Sequence, residues 1–265
     1  LYIKGTLTRH DNLSIAIVGT RRCSLYGQEQ SSRLAHLLAA TGFTIVSGMA
    51  RGIDTAAHRA ALSANGRTIA IQGCGLANIF PPENKKLFEL ITNSGACISQ
   101  LPLQYGALSE NFPPRNRIIA GLSLGTIVIE AGLNSGAMIT ARAALENNRE
   151  VMAVPGKIDS PLSKGTHQLI KQGAKLVERA GDILEEIMPC RIPPKDILAN
   201  TEGSPPLQLP PEEARILKLL EPSPLHIDAI ARQAGMEPSV VAAILLQLEL
   251  KNLAVQMPGK LFARK

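Results

Sequence analysis

The chain has 265 residues, 45% of them hydrophobic and 19% charged, which suits one core of roughly 200 residues with a small satellite domain and excludes a disordered tail. No apolar run reaches the ~18 residues of a membrane span and no charged-then-apolar leader opens the chain, so a cytoplasmic protein is expected, although it starts on Leu rather than Met. The net charge of +6 is uneven: Leu1 to Ala120 carries 12 basic against 6 acidic residues and the remainder 16 of each, a one-sided excess that favours a polyanionic partner.

Taken in order, the segments "LSIAIVGT", "TIVSG", "RTIAIQG", "ACISQL", "GTIVIEA", "EVMAVPG" and "AKLVE" are short, apolar and rich in Ile and Val. Strands buried on both faces look like this. Between them run helical stretches such as "SLYGQEQSSRLAHLLAATG" and "GAMITARAALENN", with apolar residues every three or four positions. The alternation predicts an α/β fold: an extended, Rossmann-like, doubly wound and mostly parallel sheet covered by helices.

In such sheets ligands bind where strands end and the next helices begin. Those places read "GTRR" (Gly19 to Arg22), "SGMARGID" (Ser47 to Asp54), "EAGLNSGAMIT" (Glu130 to Thr140) and "VPGK" (ending at Lys157). Glycine lets backbone N–H groups approach a bulky anion, while an arginine adds a charge-assisted hydrogen bond worth ~1.5–3 kcal/mol. Arg21 and Arg51 are therefore expected to reach an anion, with Asp54 capping the helix that follows.

The stretch "ENFPPRNRIIAGLS" reads as a proline-stiffened loop before a helix. On it Arg115 and Arg117 can grip phosphate oxygens in a fork, and Asn116 can bond a base or cap the helix. The competing reading pairs one or both arginines with Glu110 or Glu130 inside the fold, Arg117 being the expected structural member. With no Trp and few aromatic residues, Phe112 is the best-placed platform for a stacked base. Backbone contacts then outweigh base contacts, and removing Arg115 is expected to flatten the salt dependence of binding by ~0.7 for each phosphate it no longer neutralises.

"GCGLAN" lacks the final glycine of a dinucleotide fingerprint and no phosphate-loop motif occurs, so neither NAD nor ATP nor any other cofactor is expected. Cys23, Cys74, Cys97 and Cys190 show no metal spacing and read as reduced packing residues. No metal site is expected.

Past Ile187 the character changes. Seven prolines within residues 189–211 indicate a linker between a first domain over 1–188 and a second over 212–265. The second has three short helical segments and a hairpin about Pro258 and Gly259, and it resembles a winged helix. Its third helix offers mainly Val, Leu, Ala and Gln, which points to protein contact rather than duplex binding.

The motifs "AIVGTRR", "SGMARGIDTAAH", "FPPRNRIIAGLS", "VIEAGLNSGAMITARAALENNREVMAVPG" and "GTHQLIKQGAKLV" resemble those of the DNA-processing protein A family, DprA or Smf, almost continuously from Leu1 to Ile187. The resemblance implies a protein that is not an enzyme, binds single-stranded DNA, protects it, forms a homodimer and loads RecA recombinase in natural transformation. It places the DNA pocket on Ser47, Gly48, Arg51, Phe112, Arg115, Asn116, Arg117, Asn134, Ser135 and Gly136, with Lys157 and Lys164 beyond. Many relatives have a basic residue where Pro114 stands, which implies one fewer grip on phosphate here. The family often carries a helical N-terminal domain, and "LYIKGTL" stands just after where it would end.

Two rival readings remain open. "LSLGTIVIEAGLNSG" is faintly similar to the "PGGxGTxxE" motif of nucleoside-monophosphate phosphoribohydrolases, with Glu130 as acid or base and His58 or Ser135 assisting. The paired glycines are missing, however, and the Thr-to-Glu spacing is one residue longer. His58 and His167 read more simply as hydrogen-bonded structural residues. The other rival is a scaffold whose basic face docks an acidic protein.

Overall fold

The computed structural model describes residues 1–187, 210–220, 225–250, 253–257 and 261–264. The chain divides into two compact units, Leu1–Ala199 and Asn200–Lys265.

In the first unit the strands are β1 (Tyr2–Gly5), β2 (Ser14–Val18), β3 (Thr44–Ser47), β4 (Thr68–Gln72), β5 (Ala96–Ser99), β6 (Gly125–Val128), β7 (Glu150–Ala153) and β8 (Lys175–Leu176). Helices α1 (Leu25–Ala40), α2 (Ile53–Ser63), α3 (Lys85–Ser94), α4 (Phe112–Leu122), α5 (Gly136–Glu146), α6 (Lys164–Lys171) and α7 (Ala180–Ile187) alternate with them. The strands form one sheet in the order β1-β5-β4-β3-β2-β6-β7-β8. Every neighbouring pair is parallel except β1 with β5. This is the doubly wound, Rossmann-like fold.

Alternation along each strand sends side chains to two cores. Ile15 and Ile17 of β2 join Leu34, Leu38, Ile53 and Ala57 of α1 and α2 on one face. Ala16 and Val18 join Ile119, Ala137 and Ala141 of α4 and α5 on the other. The run of alanines in "GAMITARAALE" is what lets α5 lie close to both α4 and the sheet. From β2 the chain winds outward through β3, β4 and β5, then returns to place β6 on the other side of β2. The crevice between the carboxyl ends of β2 and β6 is therefore the switch point at which such sheets bind ligands.

The seven strands expected from sequence are present, and β1 is an addition. All four of its residues are exposed, and it pairs antiparallel at the sheet edge. The proline-braced stretch is also not a loop: Pro113 and Pro114 lie in the first turn of α4, which starts at Phe112. First-turn N–H groups have no helical acceptor, so proline costs little there.

The second unit contains α8 (Pro211–Leu219), β9 (Leu225–His226), α9 (Ile227–Ala234), α10 (Pro238–Leu250), β10 (Ala254–Met257) and β11 (Leu261–Arg264). The three strands pair antiparallel in the order β10-β11-β9. Ile216, Ile230, Val241, Leu245, Leu248 and Phe262 make its core. Gly235 ends α9 at φ +64, a left-handed cap suited to glycine. Three helices with a small antiparallel sheet make a winged helix. Toward solvent, α10 shows Val240, Ala242, Ala243 and Gln247.

Cys23 is half-buried, Cys74 and Cys97 are buried, and all three are free thiols. Cys190, most of the expected linker and the Pro258–Gly259 turn lie outside the described residues. Among the described residues no single helix is long and apolar enough to cross a membrane. No group of His, Cys, Asp and Glu among them is placed to hold a metal ion.

Candidate functional site

An open cleft of about 530 Å³ lies at the switch point. The turn after β2 supplies Gly19 to Arg22, α4 supplies Phe112, Arg115 and Asn116, and the start of α5 supplies Ser135, Gly136 and Thr140. Arg21 and Arg22 are exposed at its mouth. Ser135 leads α5 without a side-chain cap, and its buried Oγ has no partner within the chain. Of the first N–H groups of α5, that of Met138 donates to the Ser135 carbonyl at 3.0 Å, which leaves those of Gly136 and Ala137 for a ligand, the usual anion site of a helix start.

Phe112 organises the cations. The Arg21 guanidinium carbon stands 5.0 Å from its ring centroid and that of Arg115 stands 5.6 Å from it, so one ring carries two cation–π contacts. A second ring, Phe80, packs tilted against it at 5.8 Å. The ring fits because residue 73 is glycine: a Cβ there would stand 2.8 Å from Phe112 Cδ1.

Arg115 differs from Arg21 in being only 3% exposed. Its Nη1 donates to the carbonyl oxygens of Gly48 and Ile71. Burial pulls its pKa down to about 10, opposed by the nearby Asp54 charge, so it stays a cation at neutral pH. Asp54 is buried as well and is pushed up to about 6, mainly by desolvation and against the pull of Arg115. Its carboxylate accepts from the N–H of Gly48 (3.1 Å) and of Ala50 (3.3 Å). It therefore closes the loop after β3 from inside α2; the cap position that the sequence suggests for it belongs to Gly52, at φ +73.

Several expected residues have other work. Ser47 is fully buried and donates to the Ile17 carbonyl at 2.6 Å. Gly48 lines a small recess beside the main cleft, together with Arg51. Arg51 is paired with Glu83 and so does not stand as a free cation. Arg117 is exposed and Arg115 buried, the reverse of the expected assignment. Asn116 sits inside α4 and its Nδ2 donates to the Gly136 carbonyl at 3.2 Å, tying α4 to the start of α5 rather than capping its own helix. Asn134 and Lys157 are exposed on the neighbouring turns, outside the cleft lining. Lys164 donates from Nζ to the Ile158 carbonyl at 2.9 Å and so braces the loop after β7.

Glu130 is only 4% exposed and is held by Ser24, whose N–H donates at 2.9 Å and whose Oγ donates at 2.5 Å. It is not among the cleft residues, which counts against the role of acid or base. His58 is fully buried on Thr68, and His167 bonds the Gly156 backbone. Sequence reasoning passed over Arg22 and Thr140 as site members. Both sit in the strand-end stretches quoted above, Arg22 in "GTRR" and Thr140 at the end of "EAGLNSGAMIT", but Thr140 is singled out only once the α5 start is known to face the cleft.

Residues 1–188 match the family model described as DNA recombination-mediator protein A. The chain belongs to this family. Residues 200–260 match the DprA winged helix domain. Protein Smf of Escherichia coli K12 is 42% identical over 263 residues, covering 98% of this chain and 70% of that protein. The DNA processing protein DprA of Streptococcus pneumoniae R6 is 45% identical over 186 residues, covering 70% of this chain and 66% of that protein. The X-ray structure of DprA from Streptococcus pneumoniae superposes with a TM-score of 0.66 at 45% identity, over 69% of this chain and 65% of that one. DprA from Helicobacter pylori, in a structure that addresses the single-stranded DNA binding mode of that protein, superposes with a TM-score of 0.65 at 31% identity, over 71% and 86%. The chain thus spans roughly two thirds of the pneumococcal DprA, so family membership is read on the Rossmann-like unit first.

Proposed function

We propose that this chain holds single-stranded DNA by its phosphate backbone in the cleft between β2 and β6. The observation that carries the reading is the convergence of Arg21 and Arg115 on the Phe112 ring at the switch point. Arg21 supplies an exposed charge for phosphate, Arg115 a fixed positive floor, and the uncapped start of α5 a set of N–H donors. Duplex DNA is stiff and keeps its bases stacked inside, whereas a single strand can bend to bring successive phosphates to Arg21 and to the start of α5. Membership of the recombination-mediator family and the single-stranded DNA binding of the similar Helicobacter pylori protein support this choice of ligand.

In the cell, the proposed role is to cover incoming strands and deliver them to RecA recombinase, acting in the cytoplasm as a homodimer. That part rests on family membership. Catalysis is not proposed, since Glu130 is committed to Ser24.

The test compares a labelled single strand with a duplex of equal length at two salt concentrations, by fluorescence anisotropy. Tighter binding of the single strand with steep salt dependence is expected. Equal or weaker binding of the single strand would overturn the reading. Nucleoside monophosphates incubated with the protein should release no free base; release would restore the enzyme reading.

A further inference from the structure

Arg51, on the loop between β3 and α2, presents Nε and Nη2 to the two carboxylate oxygens of Glu83, with Nη2 3.2 Å from Oε2. Two parallel N–H···O bonds from one guanidinium to two oxygens is also the fork with which arginine holds a phosphodiester. Both side chains are about half exposed, at 58% and 50%, so the pair is open to displacement by an anion from solvent.

Glu83 does not meet Arg51 by chance of a loose loop. The next residue, Asn84, is 2% exposed and donates from Nδ2 to the Met49 carbonyl at 2.9 Å and to Thr55 Oγ1 at 2.8 Å. That buried amide ties the turn before α3 to the loop that carries Arg51. Arg51 in turn lines a recess together with Arg21 and Phe112, and these two residues also line the main cleft. A strand held on Arg21 thus passes next to an arginine whose fork already contains a carboxylate.

Building on the DNA reading above, we propose that Glu83 is an intramolecular competitor for backbone phosphate at Arg51. In the free protein its carboxylate fills the fork. When a strand extends from the cleft into the recess, a phosphate takes the fork, and Glu83 is left as an unpaired charge beside it. The exchange replaces one exposed ion pair with another, so it costs little and reverses readily. Glu83 therefore keeps the strand exchangeable, which a protein that passes DNA onward requires.

The test is a double-mutant cycle with a fluorescein-labelled oligo-dT, read by anisotropy at low salt: wild type, Glu83→Gln, Arg51→Ala and the two together. Glu83→Gln should bind roughly fivefold tighter, and the gain should vanish in the Arg51→Ala background. Glu83→Ala, checked by thermal melting, should show the same gain. A gain that persists without Arg51 would mean that Glu83 acts only as general negative charge, and the proposal fails. Unchanged affinity in both Glu83 variants, with the wild type binding normally, overturns the proposal and leaves the DNA reading intact. Failure of the wild type to bind oligo-dT overturns both.

Discussion

Arg115 rests directly on Gly48: its Nη1 donates to the Gly48 carbonyl and occupies the space that a Cβ on residue 48 would fill. This bond joins α4 to the end of β3 beneath the cleft. The glycine is needed for close approach, since the guanidinium, buried and shared with the Ile71 carbonyl, has nowhere to retreat. Gly48→Ala is expected to cost about 1–3 kcal/mol of stability as the core shifts to make room. Urea unfolding checks it, and an unchanged midpoint would show that Arg115 moves freely.

Arg115 and Arg21 should separate cleanly in their effects. Arg115→Ala removes the cation beside buried Asp54 and leaves two carbonyls short of a donor, a change of about 3–5 kcal/mol by analogy with other broken buried pairs. Weaker DNA binding by that variant would be confounded by unfolding. Arg21 is exposed, so Arg21→Ala should change stability by no more than about 0.5 kcal/mol. Its log K against log salt slope should nevertheless fall by ~0.7, the amount for one phosphate left without its cation. An unaltered slope in a folded Arg21→Ala protein removes Arg21 from the interface.

Glu130 offers a test of binding against catalysis. Its carboxylate receives the Ser24 N–H and hydroxyl, and the Ser24 Oγ accepts from the Gly27 N–H at 3.1 Å to cap α1. A Cβ on Gly27 would also strike the Glu130 carboxylate. Ser24→Ala is expected to lose about 1 kcal/mol for the cap and more for the carboxylate left short of donors. Glu130→Gln should likewise lower the melting temperature while leaving DNA affinity per folded molecule unchanged. An affinity loss without a stability loss would move Glu130 into the site.

How far these features can be read from sequence depends on what kind of contact makes them. The six inner strands, β2 to β7, are short runs rich in Ile, Val and Ala, so burial on both faces writes them plainly into the chain, and β8 at the far edge is marked by the same apolar "AKLVE" pattern although Leu176 is exposed. β1 carries no such mark because "YIKG" is exposed throughout and is held by backbone pairing with β5 and by the contact of Lys4 with the Phe88 ring of α3. The cleft residues are legible because glycines and arginines cluster at strand ends. The division of labour between Arg115 and Arg117 becomes legible only when α4 is started at Phe112. Arg115 then lies one turn before Ile119, on the face that packs inward, and Arg117 faces out. The Arg51–Glu83 pair was beyond reach, since it joins residues 32 apart across two turns of the winding.

The most demanding prediction concerns two buried groups whose titrations oppose each other. Thr68 Oγ1 donates its single hydrogen to the Ile45 carbonyl at 2.7 Å, so the 2.6 Å contact with His58 Nδ1 needs the proton on that nitrogen. Nε2 is then a buried acceptor without a partner. Burial, with Arg115 adding to it, pulls the His58 pKa from 6.5 down to about 3. The native state thus rejects a proton that the unfolded chain accepts below 6.5, and the stability from neutral His58 is lost as pH falls toward 3. Asp54 runs the other way. Its pKa rises from 3.8 to about 6, so its contribution is present below 3.8 and is lost as pH rises through 6. Between about pH 4 and 6 one group gains a proton on folding while the other loses one, and their slopes cancel. Asp54→Asn should expose the His58 effect, making stability fall with decreasing pH by about 1.4 kcal/mol per pH unit more steeply than in the wild type. His58→Gln should tilt the same window in the opposite sense. Urea unfolding at pH 4.5, 5.5 and 6.5 measures both slopes, and parallel curves for all three proteins would mean that neither group is held away from its ordinary pKa.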